Sequence, residues 1–389
     1  MEKNNSISLI LPVLFGFFVM GFCDIVGISS DYAKEAFGWS NTMAGFIPSM
    51  VFVWFLLLGI PVGIKMNSWG RKRMVMLSMA VTIVGMLLPL TVYNQFTCIV
   101  AYSLLGIGNS ILQVSLNPLL KNVITDQRLL TSSLTAGQVV KAVSSFVGPY
   151  IVLIAVNFFG HGDTQLWYYC FPILGGITLI SALWLAFTPI PKENHEDSTG
   201  SFNDTFSLLS NRKILLLFFG IFFVVGVDVA TNFISSKVMI IRFGWAKEDA
   251  GIAPQIYFIS RTIGAFIGMF LMTKIKEITY FKINILVCIV ALLVLMFVSD
   301  ETVNLCCIGS VGFLASCIFP VIYSMAVQTT PQKSNLISGL MITAVAGGGA
   351  VTPIIGAATD TVGISGGVVV ILVCVLYLTY CAFGIKVSR

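Results

Sequence analysis

The chain has 389 residues, of which 57% are hydrophobic and only 10% are charged, and its mean hydropathy is +0.94. Soluble domains carry about 25% charged residues, so this composition excludes a soluble globular protein and indicates an integral membrane protein. The formal charge of +5 comes from basic residues spread over loops, and none of the nine cysteines forms a Cys-x-x-Cys pair, so nucleic-acid binding, a zinc site and a disulfide framework are not predicted.

Apolar runs long enough to cross about 30 Å of hydrocarbon recur along the whole chain. They predict twelve transmembrane helices, near 7–30, 42–65, 73–93, 95–120, 131–157, 166–188, 213–240, 248–273, 280–299, 302–328, 335–360 and 364–385. The first run carries an acid and lacks a small-residue cleavage site, so we interpret it as a retained helix. If the N-terminus is inside, the inner segments hold most of the basic residues, and the outer segments hold only Lys34, Lys237, Arg242 and Lys247. This asymmetry predicts that both termini are cytoplasmic.

One stretch of the chain occurs twice. Residues 28–50 and 234–256 align without gaps at a shift of 206 and share Phe-Gly-Trp and Ala-Gly-x-x-Pro. Such a repeat predicts two structural halves. The longest polar interruption falls between them, so we predict a six-helix bundle at 1–188, a cytoplasmic linker at 189–212 and a second six-helix bundle at 213–389.

A carboxylate lies in an apolar run just before each copy of the repeat, Asp24 in the first half and Asp228 in the second. A charged group at this depth costs roughly 2.5–3.5 kcal/mol on insertion scales, so it indicates function. A duplicated membrane-embedded unit with an acid in each half is the layout of a secondary transporter. Both acids are therefore predicted to couple transport to protons, with Asp24 as the main carrier, because His161 and His195 lie in loops. The alternative is that each acid only satisfies polar groups of a neighbouring helix.

Other polar side chains interrupt the spans. Gln113 and Asn117 are four residues apart in the fourth span, so their amides share a helix face and suit a ligand with several hydroxyl groups. Gln138 and Lys141 share a face of the fifth span, and Arg261 lies in the eighth. Each of the two cations needs an anionic substrate or an internal partner such as Asp24 or Asp228. The predicted substrate-binding residues are Gln113, Asn117, Gln138, Lys141, Asn232, Arg261 and Tyr323, and no catalytic residue or metal ligand is predicted.

The loop between the second and third spans resembles the Gly-x-x-x-Asp-Arg-x-Gly-Arg-Arg signature of the major facilitator superfamily. It runs from Gly63 to Arg73, with Asn67 in place of the acid and Ser68 in place of the first arginine. The resemblance implies an all-α membrane fold of twelve transmembrane helices in two six-helix bundles.

Within that superfamily the chain is similar to the fucose/glucose/galactose–proton symporters over nearly its whole length. Cys23-Asp24-Ile25 matches that family's Asn-Asp-Ile in the acid, and Leu112-Gln113 with Asn117-Pro118 matches its helix-4 pattern. Gly226 with Asp228, Ser260-Arg261, and the stretch from Phe319 through Tyr323 and Pro353 to Asp360 also follow the family. Lys141 departs from it, because the family has an asparagine there.

The resemblance implies a proton-coupled symporter that imports a monosaccharide, a hexose or a related sugar, by alternating access. Lys141 leaves open an acidic sugar such as a sialic acid or a hexuronate, and a drug efflux antiporter on the same fold is the third alternative. We predict a transporter and not an enzyme, driven by the proton gradient without a cofactor. The expected partners are the sugar, protons and the lipid bilayer of a cell membrane, without nucleic acid, for a monomeric multi-pass protein.

Overall fold

The computed structural model describes residues 2–39, 41–124, 129–191 and 200–385. Within these ranges every regular element is a helix, so the predicted all-α class is confirmed. Twelve segments follow the predicted spans: α1 (Glu2–Met20 and Val26–Phe37, joined by the 3-10 turn Gly21–Ile25), α2 (Asn41–Trp69), α3 (Arg71–Thr91), α4 (Gln95–Val123), α5 (Leu130–Ile154), α6 (Cys170–Phe187), α7 (Arg212–Phe243), α8 (Ile252–Leu271), α9 (Glu277–Phe297), α10 (Glu301–Ala315 and Ile318–Thr329), α11 (Ser334–Thr343 and Gly347–Val362, joined by the 3-10 turn Ala344–Ala346) and α12 (Ile364–Gly384).

Ten of these segments are long and apolar enough to cross a membrane; α1 contributes a shorter apolar helix, Ser8–Cys23, and α8, which carries Arg261, is not among the ten. Large apolar side chains remain exposed along several helices, for example Ile180 and Leu183 on α6 and Val287 and Val290 on α9. Monomeric soluble proteins rarely expose such contiguous apolar surface, so these faces are ones that lipid would cover.

The sequence repeat is also a repeat of local structure. α3 and α9 begin and end at positions 206 residues apart, and so do α4 and α10. In both copies the helix ends at Phe-Gly, where Gly38 (φ 64°) and Gly244 (φ 72°) adopt the left-handed conformation that favours glycine. The backbone N–H of the following tryptophan then donates a hydrogen bond to the end of the helix. Trp39 donates to the carbonyl of Lys34 (3.0 Å), and Trp245 donates to that of Met239 (3.2 Å).

The chain divides into two compact units. Unit 1 comprises 1–127, 137–205 and 332–343; unit 2 comprises 128–136, 206–331 and 344–389. Each unit therefore includes one short segment from the other half of the sequence. The first part of α11 belongs to unit 1, and the first turns of α5 belong to unit 2. The predicted linker, 189–212, falls partly outside the described residues, and its described part holds the short helix Phe202–Ser207.

In unit 1, α2 and the first part of α11 approach each other through glycines. A Cβ atom on Gly63 would lie 2.9 Å from the Cα atom of Gly339, and one on Gly59 would lie 2.8 Å from the carbonyl oxygen of Gly339. Glycines spaced in this way allow two helix backbones to pack at close range. A side chain at any of the three positions would push the helices apart.

Unit 1 also holds an aromatic cluster around the loop between α3 and α4. The Nε1–H of Trp167 donates to the hydroxyl of Tyr93 (3.0 Å), whose ring stacks on Tyr168 at 4.0 Å between centroids. Burial raises the pKa of Tyr93 to about 12, so the phenol stays neutral at physiological pH. Aromatic side chains with a polar tip are common at membrane–water interfaces.

Candidate functional site

Asp24 lies in the 3-10 turn Gly21–Ile25 that interrupts α1, and its side chain is outside the described part of the structure. The turn packs tightly on α5. A Cβ atom on Gly21 would lie 2.6 Å from the carbonyl oxygen of Lys141 and 2.7 Å from the Cβ of Ser144. A 3-10 stretch inside a helix often marks a functional hinge. The predicted proton carrier is therefore at an irregular point of the backbone, beside α5.

The two amides of α4 are buried. Gln113 is 7% exposed and Asn117 is 3% exposed. The Asn117 amide donates to the carbonyl of Gln113 (2.9 Å), but its Oδ1 is buried without a hydrogen-bond partner. Among the described residues, the side-chain amide of Gln113 also has no partner. Buried polar groups are normally hydrogen-bonded, so this pair is a candidate for binding a polar ligand.

Pro118 frees the carbonyl of Val114, as expected for a proline inside a helix, because proline has no N–H to donate. The hydroxyl of Ser338 on α11 donates to that carbonyl at 2.6 Å. The freed backbone acceptor therefore holds the first part of α11 against α4 within unit 1.

On α5, Gln138 and Lys141 are both half-buried and lie three residues apart. Within the described part of the chain, neither side chain has a hydrogen bond, and Lys141 has no ion pair. The ammonium of Lys141 is thus a cation in the interior of a membrane protein with no described partner. An unpaired charge in such a place is costly, so it is a candidate for binding an anion.

The acid of the second half is fully engaged. Asp228 on α7 accepts a hydrogen bond from the Tyr257 hydroxyl at its Oδ1 (2.5 Å), and its Oδ2 lies 3.0 Å from Nη2 of Arg261. Tyr257 and Arg261 are one turn apart on α8. Of the two partners predicted for Arg261, the structure shows Asp228. We name these three residues the Asp228 triad.

The remaining two predicted residues also lie in unit 2. Asn232 is half-buried on α7, one turn after Asp228, and its side-chain amide has no partner among the described residues. Tyr323 on α10 is 2% exposed, and its ring stacks on Phe319 at 6.2 Å between centroids. Gln113, Asn117, Gln138 and Lys141 belong to unit 1, whereas Asp228, Asn232, Arg261 and Tyr323 belong to unit 2.

The loop signature has a structural counterpart in the buried residue Arg71, which starts α3. Its guanidinium donates to the Oγ of Ser334 (2.6 Å), the Oδ1 of Asn335 (2.7 Å), the carbonyl of Pro118 (3.2 Å) and the Oδ1 of Asn122. Asn67, which replaces the family's acid, accepts a hydrogen bond from the amide of Asn335 (2.9 Å). The loop therefore holds the start of α11 although the usual acid is absent.

Glu277 starts α9, 206 residues after Arg71. Its carboxylate accepts a hydrogen bond from Thr131 at the start of α5, and the Thr131 hydroxyl lies 2.7 Å from that of Ser324 on α10. Gln328 donates to Ser324 at 2.7 Å. Arg71 at the start of α3 thus holds α11 in unit 1, and Glu277 at the equivalent start of α9 holds α5 in unit 2. The two residues carry opposite charge.

Sequence reasoning missed Tyr257, Thr131 and Glu277. The one available signal for Tyr257 was its spacing, four residues before Arg261. Among the described residues, no group of three or more His, Cys, Asp or Glu side chains could hold a metal ion.

The sequence profile of the Major Facilitator Superfamily matches residues 12–383. The chain belongs to this superfamily. Membership confirms the prediction of a membrane transporter in place of an enzyme. It also agrees with the twelve helices and the multi-pass arrangement described above.

Within the superfamily, the chain is similar to sugar transporters. A glucose/galactose transporter of Brucella abortus biovar 1 (strain 9-941) is 23% identical over 393 residues, covering 97% of this chain and 94% of that protein. A putative glucose/galactose transporter of Helicobacter pylori (strain ATCC 700392 / 26695) is 24% identical over 381 residues, covering 92% and 91%. The crystal structure of the E. coli fucose:proton symporter FucP matches with a TM-score of 0.86 at 19% identity, covering 97% and 98%. The predicted resemblance to fucose/glucose/galactose–proton symporters is confirmed.

Proposed function

We propose that this protein is a proton-coupled symporter that imports a monosaccharide, a hexose or a related sugar, by alternating access. The observation that carries the proposal is the buried amide pair Gln113 and Asn117, in which Asn117 Oδ1 has no partner. Amides offer both donors and acceptors, as a ligand covered in hydroxyl groups requires. The names of the similar transporters point to the same class of substrate.

We assign proton coupling to Asp24 as the main proton carrier, with Asp228 as a secondary candidate. Asp24 lies where α1 loses its regular hydrogen-bonding pattern. Asp228, in contrast, has both carboxylate oxygens occupied by Tyr257 and Arg261. A carboxylate with two strong partners is a poorer proton shuttle, because protonation would break charge-assisted contacts. The proposed sugar ligands are Gln113, Asn117, Gln138, Lys141, Asn232, Arg261 and Tyr323.

The proposed setting is a cell membrane, with an orientation that the distribution of basic residues supports. Both termini face the cytoplasm, and the protein acts as a monomer in the inner or plasma membrane. The proton gradient supplies the energy, so no cofactor is required. The partners are the sugar, protons and lipid.

A second candidate is import of an acidic sugar, such as a sialic acid or a hexuronate. The specific observation in its favour is Lys141, whose ammonium has no partner among the described residues. A substrate carboxylate at Lys141 would offset the cost of burying the cation. The neighbouring Gln138 would then bind a hydroxyl of the same ligand.

Uptake into proteoliposomes separates these possibilities. Radiolabelled glucose, galactose, fucose, glucuronate and N-acetylneuraminate are offered with an inward proton gradient, without it, and with a sodium gradient in its place. We expect accumulation of a neutral sugar that requires the proton gradient and collapses with a protonophore. Accumulation of the acidic sugars alone would support the second candidate. Accumulation of none of them under any gradient would contradict the proposed function.

A further inference from the structure

Tyr257 contacts the acid of unit 2 from the inside of the protein. It is fully buried, whereas the side chains of Asp228 and Arg261 are 26% and 35% exposed. Tyr257 therefore reaches Oδ1 of Asp228 from the core, and Arg261 meets Oδ2 from the accessible side. A solute could reach the arginine and the acid, but not the tyrosine.

The ring of Tyr257 is held in place by α10. A Cβ atom on Gly312 would lie 2.7 Å from the carbonyl oxygen of Tyr257 and 3.0 Å from its ring carbon Cδ2. The ring of Phe258 meets that of Tyr257 edge-on at 5.7 Å between centroids. Because the ring has little room to move, the position of the hydroxyl is set by the packing of α8 on α10.

The hydroxyl in turn fixes the carboxylate. A phenol has one proton to donate, and here it goes to the carboxylate oxygen on the buried side, so the bond is charge-assisted and directional. Without this bond, the Asp228 carboxylate could rotate about its side chain. Arg261 would then lose a fixed counter-ion, which is one of the contacts that orient its guanidinium.

We propose that Tyr257 is a positioning residue of the sugar site: it holds Asp228 so that Arg261 presents its guanidinium donors to substrate hydroxyls in one orientation. The proposal rests on the proposed function. It assigns Tyr257 a role through Asp228 and no contact with the substrate.

The first test is a double-mutant cycle on sugar uptake. Tyr257→Phe removes only the hydroxyl, and we expect the half-saturating sugar concentration to rise about five- to tenfold with the maximal rate within about twofold. In an Asp228→Ala background, the same substitution should change that concentration by less than about twofold, because the tyrosine then has no acid to position. The matched control is Tyr102→Phe, which removes the hydroxyl of another buried tyrosine, bonded to Ser29 at 2.9 Å, and should leave the half-saturating concentration unchanged.

The second test needs no sugar. Phenylglyoxal modifies accessible guanidinium groups, and mass spectrometry reports its rate at each arginine. Arg242 of the same unit, held by the carbonyl of Leu295 (2.6 Å) and by Asn304 (2.8 Å), is the internal reference. We expect Tyr257→Phe to raise the rate at Arg261 about threefold relative to Arg242.

The outcomes separate the two proposals. If the wild type takes up no sugar, the proposed function fails, and the phenylglyoxal ratio alone decides whether Tyr257 orients Arg261. An unchanged ratio, or an equal effect of Tyr257→Phe with and without Asp228, would overturn the positioning role. A rise in modification at Arg242 as well would show general loosening, and would also overturn it.

Discussion

The predicted site residues of α4 and α5 in unit 1 and the Asp228 triad in unit 2 differ in their hydrogen-bond and ion-pair partners. In unit 2, Asp228 has partners at both carboxylate oxygens, Tyr257 at 2.5 Å and Arg261 at 3.0 Å. In the described part of unit 1, the ammonium of Lys141 and the amide of Gln113 have no partner, and Asn117 keeps an unpaired buried oxygen. We interpret this difference as a difference in role.

We interpret the unpaired groups of unit 1 as candidate ligand-binding groups and the paired groups of the Asp228 triad as groups that hold one another in place. A buried polar group without a partner costs about 1–3 kcal/mol, and binding a polar ligand recovers that cost. A carboxylate with both oxygens paired, such as that of Asp228, gains little from a ligand, but breaking its contacts destabilises the fold. Substitutions in unit 1 should therefore act on affinity and coupling, and substitutions in the Asp228 triad should also act on stability.

The largest effect is expected for Asp24→Asn. One charge crossing 100 mV supplies about 2.3 kcal/mol, which is roughly fifty-fold accumulation of substrate. The substitution should abolish this accumulation while sugar exchange across proteoliposomes continues. Glu35→Gln, an exposed acid on the same helix, is the control and should accumulate sugar normally. If Asp24→Asn still concentrates sugar like the wild type, coupling belongs to Asp228 or to another group.

Breaking the Asp228–Arg261 pair from one side should lower thermal stability. Arg261→Gln leaves an uncompensated carboxylate, and we expect a loss of about 1–3 kcal/mol, less than for a fully buried pair because both groups are partly exposed. The double variant Asp228→Asn with Arg261→Gln should recover part of the loss, because no lone charge remains. Melting curves in detergent measure both. Additive losses in the double variant would show that the pair is not coupled.

The next largest effect is expected at Asn117 of unit 1, whose buried amide oxygen has no partner. Asn117→Leu should raise the half-saturating sugar concentration about tenfold, the worth of one hydrogen bond to a ligand. Asn284→Leu is the matched control, because Asn284 is also buried and also donates to the carbonyl four residues earlier, that of Tyr280 (2.8 Å). It should change stability and leave affinity intact. Equal affinity changes in both variants would remove the distinction between the units.

The smallest effect is expected for Lys141→Asn, which restores the residue usual in the family. If the substrate is an acidic sugar, binding should weaken by roughly 1 kcal/mol or more, while neutral hexose binding stays the same or improves. Uptake competition between glucose and glucuronate measures both. The control is Lys237→Asn, a half-buried lysine over the Phe233 ring at 4.1 Å. Intact acidic-sugar uptake with an altered pH dependence of coupling would make Lys141 a partner of the proton site.

Most of the fold could be predicted, because it depends on local patterns. Length and apolarity define the twelve helices, and the repeated Phe-Gly-Trp places Gly38 and Gly244 at equivalent helix ends. The helix interruptions could not be placed, because they depend on neighbouring helices. The break in α10 at Ser316 and Cys317, for instance, lies beside α8, where the thiol of Cys317 is 3.7 Å from the carbonyl of Gly264.

The candidate site was only partly predictable for the same reason. Asp228 and Arg261 stand out as charges in apolar runs, but the sequence offered Arg261 two acids and could not choose between them. Tyr257 is one of eleven tyrosines and lies in an apolar stretch, so only the packing of α8 on α7 reveals its role. Thr131 and Ser324 are ordinary helix residues until the fold brings them to Glu277.

The exchange of helix segments between the units has a consequence for synthesis. Because unit 1 includes residues 332–343, the ribosome must make most of unit 2 before unit 1 is complete. Until α11 emerges, the glycine face of α2 and two donors of Arg71, Nε and Nη2, lack the contacts that they make in the finished protein. The first half of the chain therefore enters the membrane as an unfinished intermediate, and the two halves complete their folding together.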